Sequence, residues 1–525
     1  MPQIPGSRCT LLLKVLSSMK RPVPDLLRPR LLQHWWWVAL VPLAWFSLFW
    51  HLGAQPLQTW DESRLAVNAA EMLQNHNWLV THYQGKADLW NTKPPLVVWL
   101  QAGSLAVFGY SEWAFRLPTA LVALVLTGIV AAFARRWLGG PLAGLLAGLA
   151  LLTSKGFVTN HVVRTGDYDT LLLLFTTVQV LAAFAWLHTQ RARYLLVLGA
   201  AVGLAILTKS IAGLFFLPGI AIVVVLRGRL LPLLRQPATW AAAALAIVPA
   251  ALWYGVREYV APGYWHAVWE NDLAGRALTS LEQPRAPWYD YLEIFVTQQF
   301  LLWTPWVLAA GWALAQRPGP RPGHRFLQLA VWTGGLFFLV ISMAVTKHGW
   351  YAAPLYPLFA LLVGGGLAQL ARRVTTGRGV AAGKWRGILL LAIAVVPSLI
   401  AVQRRLDKAD KQAYDNVELA YGRFLRDPKA TPAPSTHFTV VHRGASAMTR
   451  TYNASLEFYA LAFRRAHPGQ QLDVQYDAER LLAGQVVLAC GKMPQARVMQ
   501  RYQTRTLYAA DSCLTLQVIG PNPSR

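Results

Sequence analysis

The chain has 525 residues, a formal net charge of +25, an apolar share of 55%, 23 tryptophans and only 14% charged residues. That balance excludes an ordinary water-soluble enzyme and points to a bilayer as the solvent. The surplus of basic residues does not mark a nucleic-acid surface: the arginines cluster in short loops between apolar runs, the pattern by which membrane proteins orient.

Residues 1–34 read as a basic cytoplasmic segment, and its apolar patch Thr10–Val15 is too short for a cleavable signal. Runs close to the ~20 apolar residues that cross hydrocarbon follow. They fall at approximately 35–51, 117–134, 141–154, 170–187, 194–208, 211–226, 238–255, 291–314, 326–345, 351–370 and 387–402. With sides alternating, one face collects 21 cations and a single acid, Asp25, while the other collects 11 cations and 13 acids before residue 403. The first face is expected to be cytoplasmic, and an odd number of spans then places residues 403–525 outside. The predicted fold is mainly α: a polytopic transmembrane bundle of about eleven spans over residues 35–402, in the cell (inner) membrane. A small extracytoplasmic α/β domain follows over 403–525.

The outer loops, residues 52–116, 155–169, 256–290 and 346–350, hold nearly all the acids of the membrane region, so chemistry is expected there. In the first loop, Leu65, Ala66, Ala69, Ala70, Met72 and Leu73 fall on one helical face, which predicts a helix lying along the membrane surface. Asp61 and Glu62 open that helix, where its dipole favours ionised carboxylates, although capping alone also explains them. Lys93 precedes Pro94-Pro95 and suits a lipid phosphate; simple snorkelling is the competing account. The second loop gives Arg164-Thr-Gly-Asp167-Tyr-Asp169, with Asp169 leading straight into a span. Lys209 lies in a two-residue outer turn. The fourth loop supplies Arg276 and Arg285-Ala-Pro-Trp288-Tyr289, and the fifth Lys347, His348 and Tyr351.

The candidate site is therefore Asp61, Glu62 and Asp169 as catalytic carboxylates and Lys93, Arg164, Lys209, Arg276 and Lys347 as phosphate-binding cations. Trp60, Tyr83, Trp288 and Tyr351 are its substrate-lining aromatics. Cations would neutralise a leaving carrier phosphate, and a carboxylate would take the acceptor's proton. The sequence contains no nucleotide-binding glycine-rich loop. A transporter or flippase of polyprenyl-linked sugars is the alternative; it would be expected to carry broken or polar helices in repeated halves.

The ordered set Asp61-Glu62-Ser-Arg64, Glu71-Met-Leu, Trp78, Lys93-Pro94, Tyr168-Asp169, Leu207-Thr-Lys209, Arg285-Ala-Pro-Trp288-Tyr and Lys347 with Tyr351 and Pro354 resembles the aminoarabinose lipid A transferases. With the protein O-mannosyltransferases, these belong to the GT-C glycosyltransferases. The resemblance covers about residues 35–370. It implies a polyprenyl-phosphate sugar donor, inversion at the anomeric carbon, and a lipid (lipid A or another), glycan or protein acceptor. It also implies Asp61 as the base, Lys93, Lys209 and Arg276 facing the carrier phosphate, and Asp169 supporting the site. Two departures stand out. Thr92 and Asn271 occupy positions where aminoarabinose transferases carry a metal-binding glutamate and histidine. No metal ligand is therefore assigned from the sequence, and a divalent cofactor stays open. The tail is expected to hold helices at Asp410–Leu425 and Ser455–Ala466 and strands at Phe438–His442, Gln485–Ala489 and Cys513–Ile519. A Cys490–Cys513 disulfide is permitted by an exported location but not selected by spacing.

Overall fold

The computed structural model describes residues 35–159, 161–274, 287–316, 321–375, 380–415, 417–426, 437–442, 452–476, 478 and 480–523. The N-terminal segment and, in the fourth outer loop, Arg276 and Arg285 lie outside the described residues.

Each expected span falls on a helix. In chain order, with the longer loop helices included, these are α1 (Trp35–Ala44), α2 (Asp61–Asn75), α3 (Leu96–Phe108), α4 (Glu112–Phe133), α5 (Gly140–Thr153), α6 (Asp169–Thr189), α7 (Arg193–Lys209), α8 (Leu217–Leu226), α9 (Pro237–Val260), α10 (Thr304–Ala315), α11 (Pro322–Met343), α12 (Leu355–Thr375) and α13 (Val380–Asp415). Seven helical stretches among the described residues are long and apolar enough to cross a membrane; one of them, Glu112–Thr153, covers two expected spans. The shorter apolar helices Leu40–Phe49, Leu217–Leu226 and Thr304–Ala315 coincide with three further expected spans. The chain is a multi-pass membrane protein. Helix α13 continues unbroken to Asp415, so the boundary placed at residue 402 cuts through a helix.

Between apolar helices in lipid, close backbone approach replaces the hydrophobic driving force. Gly199 and Gly203, one turn apart on α7, provide that approach to α9. A Cβ on Gly199 would meet the Ala242 carbonyl oxygen at 2.1 Å, and one on Gly203 the Leu245 carbonyl oxygen at 2.5 Å.

Helix α2 forms as predicted, but its apolar face does not lie on a membrane surface. Leu65, Ala66, Ala69, Ala70 and Met72 are buried against α3 and against a helix of the tail, in one core with Phe458, Tyr459 and Phe463. The face that read as lipid-seeking is filled by protein.

The tail adds α14 (Val417–Phe424), β3 (His437–His442), α15 (Ala454–Ala466), β4 (Gln471–Tyr476), β5 (Val486–Cys490), α16 (Lys492–Arg501), β6 (Tyr502–Ala510) and β7 (Cys513–Pro521). The two-residue strands β1 (His82–Tyr83) and β2 (Lys86–Ala87) form a hairpin in the first outer loop. The tail sheet has the order β4-β3-β5-β7-β6, parallel at β4-β3-β5 and antiparallel beyond. Cys490 and Cys513 are register partners on β5 and β7 and are disulfide-bonded. Strands β4 and β6 and helix α16 were not expected. The exposed polar side chains of β6 disguise a strand that is held at the sheet edge by its pairing with β7.

The tail docks through α15. The Tyr459 hydroxyl donates to Glu112 at 2.8 Å and accepts from the Leu57 backbone N–H at 2.7 Å. Arg426 adds an ion pair to Glu112 at 3.0 Å.

Candidate active site

The two carboxylates that open α2 have opposite fates. Glu62 is 1% exposed and fully engaged. It accepts from Arg116 Nε at 2.6 Å and Nη2 at 2.9 Å, from Gln58 N at 2.7 Å and from Gly166 N at 3.0 Å. Arg116 spends its other donors on the carbonyls of Leu52, Gln55 and Pro56. A buried pair satisfied to this degree is a framework joining the first and second outer loops. Both oxygens of Glu62, expected from the sequence to be catalytic, are taken up by these bonds. Asp61, one residue earlier on the helix, lines a polar pocket with Asn91, Lys93, Asp167, Asp169 and Lys209.

Arg64 and Asp88 build the pocket's next wall through two 2.8 Å bonds. Burial works against the Asp88 carboxylate, but Arg64 and Asn68 outweigh it and hold its pKa below the usual range. The Arg64 guanidinium lies 3.6 Å over the Tyr83 ring. Tyr452, from the tail, stacks on Trp60 at 5.2 Å and on Tyr83 at 5.8 Å. Trp60 and Tyr83 thus belong to an aromatic rim that the tail completes, a contribution no sequence spacing could signal.

The second loop contributes Asp167 and His161. The Asp167 carboxyl is buried, and burial, with Asp61 and Glu62 adding to it and His161 opposing, pushes its pKa up to about 7. His161 stands on Trp350 with ring centroids 3.7 Å apart, and its Nδ1 is 3.6 Å from Asp167. Ligand atoms of Asp61, His161 and Asp167 all lie within 4.8 Å of one another, so this set could hold a divalent cation. His161 was missed because nothing in the sequence ties it to Asp61. The positions tied to metal by resemblance do not fit: Thr92 and Asn271 supply neither carboxylate nor imidazole, and the Thr92 side-chain oxygen is buried without a partner among the described residues.

Lys209, at the end of α7, reaches Asp169, at the start of α6, with bonds of 2.6 and 2.8 Å. Asp169 therefore positions a cation. Lys93 lies 5.6 Å from the Tyr168 ring centroid, and Lys209 is equally far from that of Tyr351. Lys93, Asp169, Lys209 and Tyr351 also line a second, apolar cavity of about 660 Å³, walled by Leu172, Phe215, Phe337, Ile341 and Met343. The polar pocket and the apolar cavity thus meet at two lysines.

Other predicted residues are placed elsewhere. Arg164, expected to bind phosphate, donates to the carbonyls of Trp50 and His51, fastening the second loop to the end of the first span. Lys347 donates to the Ala344 carbonyl at 2.6 Å and lines neither pocket. Trp288 is 69% exposed and lines neither.

A family profile described as dolichyl-phosphate-mannose-protein mannosyltransferase matches residues 92–254. An undecaprenyl phosphate-alpha-4-amino-4-deoxy-L-arabinose arabinosyl transferase of Aeromonas salmonicida is 28% identical over 67% of this chain and 65% of its own length. The protein of the same description from Edwardsiella ictaluri is 28% identical over 64% and 59%. The chain thus spans less than two thirds of the length of these curated relatives. Among solved structures, ArnT from Cupriavidus metallidurans bound to undecaprenyl phosphate aligns with 93% of this chain and 99% of its own. The identity is 17% and the TM-score 0.66. Its apo state aligns with a TM-score of 0.63 and 19% identity. The chain therefore has the fold of the GT-C membrane glycosyltransferases and resembles the aminoarabinose transferases and protein O-mannosyltransferases among them.

Proposed function

We propose that this chain transfers a sugar from a polyprenyl-phosphate donor to a lipid, glycan or protein acceptor on the extracytoplasmic side, with inversion. The observation that carries the reading is the junction of the two pockets at Lys93 and Lys209. A prenyl chain suits the apolar cavity, its phosphate suits the two ammonium groups, and the sugar would then extend towards Asp61. The names of the similar proteins, which act with undecaprenyl phosphate, support the same chemistry.

In the reaction an acceptor hydroxyl or amine attacks the anomeric carbon opposite the phosphate. The carbon–oxygen bond to phosphate breaks and the Asp61 carboxylate takes the acceptor's proton. Lys93 and Lys209 stabilise the charge that gathers on the departing phosphate, with Asp169 holding Lys209 in place. A divalent cation on Asp61, His161 and Asp167 would supply a Lewis acid beside these groups.

Purified protein incubated with a panel of polyprenyl-phosphate sugars should release free polyprenyl phosphate from one of them and label an acceptor. Asp61→Asn should insert and bind donor normally but transfer about 10²–10⁴-fold more slowly, the range for a lost general base. Asn also caps helices well, so a merely capping Asp61 predicts near-normal transfer and would reject the catalytic role.

A further inference from the structure

At the end of the bundle opposite the lysine junction, a second charged cleft opens between α6, α8 and α11. Its two connected lobes, of about 150 and 370 Å³, share Val223, Arg227 and Arg325. Arg227 donates to Gln328 at 2.5 Å, and Arg325 Nη1 lies 3.3 Å from His188 Nδ1. Neither guanidinium meets a carboxylate among the described residues, and Arg325 Nε is buried without a partner there. His324 and Arg229 add further basic groups to the lining. Two half-buried guanidiniums with no acid between them repel each other until an anion is placed there. Leu226 and Trp332 continue the wall with exposed apolar surface, which suits acyl chains next to the charged opening.

We propose that this cleft binds the phosphate of an anionic membrane phospholipid, from the leaflet opposite the catalytic pocket. Guanidinium forks match phosphate oxygens in pairs, and basic clefts between transmembrane helices are suited to anionic lipid headgroups. A free phosphate would satisfy the arginines equally but would leave Leu226 and Trp332 without a role.

The test is native mass spectrometry of the detergent-purified full chain titrated with phosphatidylglycerol, phosphatidylcholine or inorganic phosphate. The wild type should retain phosphatidylglycerol about thirtyfold more tightly than phosphatidylcholine, the scale expected from two arginines near an anionic surface. The Arg227→Gln, Arg325→Gln double variant should lose that preference. Trp332→Ala, which keeps both arginines, should weaken retention of the lipid and leave any binding of inorganic phosphate unchanged. Thermal stabilisation of the wild type by phosphatidylglycerol over phosphatidylcholine reads the same contact without any substitution. Equal retention of the two lipids by the wild type overturns the proposal. Displacement of phosphatidylglycerol by an equal concentration of inorganic phosphate overturns the lipid assignment.

Discussion

Asp61 and Glu62 are adjacent in sequence and chemically alike, yet the fold divides their work. Glu62 sits in a buried ion pair with Arg116 and caps the approach to α2, while Asp61 lines the pocket. Removing one partner of such a pair leaves a buried charge uncompensated, at a cost of about 3–5 kcal/mol. Arg116→Leu should therefore lower the thermal unfolding midpoint in detergent by many degrees. Asp61→Asn should leave that midpoint nearly unchanged while abolishing most turnover. The reverse pattern would exchange the roles assigned to the two carboxylates. The set Asp61, His161 and Asp167 makes a separate prediction: elemental analysis of purified protein should find a divalent ion that His161→Ala removes. Wild-type protein free of metal after loading with excess zinc or manganese would show that these side chains only pack together.

At the level of elements, two contacts decide how the helices are held. Gly199 and Gly203 let α7 meet the backbone of α9, and no side-chain motion can make room for a larger residue there. Gly199→Leu should destabilise by at least the ~1–3 kcal/mol of ordinary overpacking. Gly255→Leu, on α9 with open space around its Cβ position, should be nearly silent by the same melting measurement. The tail is held by the Tyr459 hydroxyl, which bridges Leu57 and Glu112. Tyr459→Phe strips both of a buried partner and should cost about 1–3 kcal/mol. It should also reduce transfer, because Tyr452 of the same domain completes the rim with Trp60 and Tyr83. These element-level contacts were only partly legible in the sequence. The amphipathic pattern of α2 was plain, but its partner lies some 400 residues away on α15, so its apolar face read as membrane-facing. Arg116 pairs with Glu62 across 54 residues and gave no local sign of doing so. Asp61, Lys93, Asp169 and Lys209 were legible for a simple reason: charges beside long apolar runs are costly, so the few present stand out.

Across the whole molecule, the spans were the most legible feature, since hydropathy acts through the solvent and needs no knowledge of partners. Their order in the fold sharpens the question of sidedness. Helices α6 and α11 each run from one charged end to the other. Asp169 and Met343 line the spaces around Lys93 and Lys209, whereas His188 and Arg325 line the opposite cleft. Arg227 and Arg229 line the cleft at the second end, while Asp61, Asp167 and Asp169 line the pocket at the first; by the alternation of the spans, Arg135, Arg136, Arg191, Arg193 and Arg373 belong to loops on the same side as Arg227. Cationic loops resist translocation, and acids contribute little, so the second end should be cytoplasmic. The docking of the tail on Glu112 through Tyr459 and Arg426 puts it on the same side as the pocket, so the tail should then be outside as well. Reporter fusions after Arg136, Arg229 and Arg373 should be active only as cytoplasmic reporters. Fusions after the last residue of β7 should be active only outside, where the Cys490–Cys513 disulfide can persist. A cytoplasmic signal from the tail would invert the molecule, and the carboxylate pocket would then face the wrong compartment for a donor delivered across the membrane.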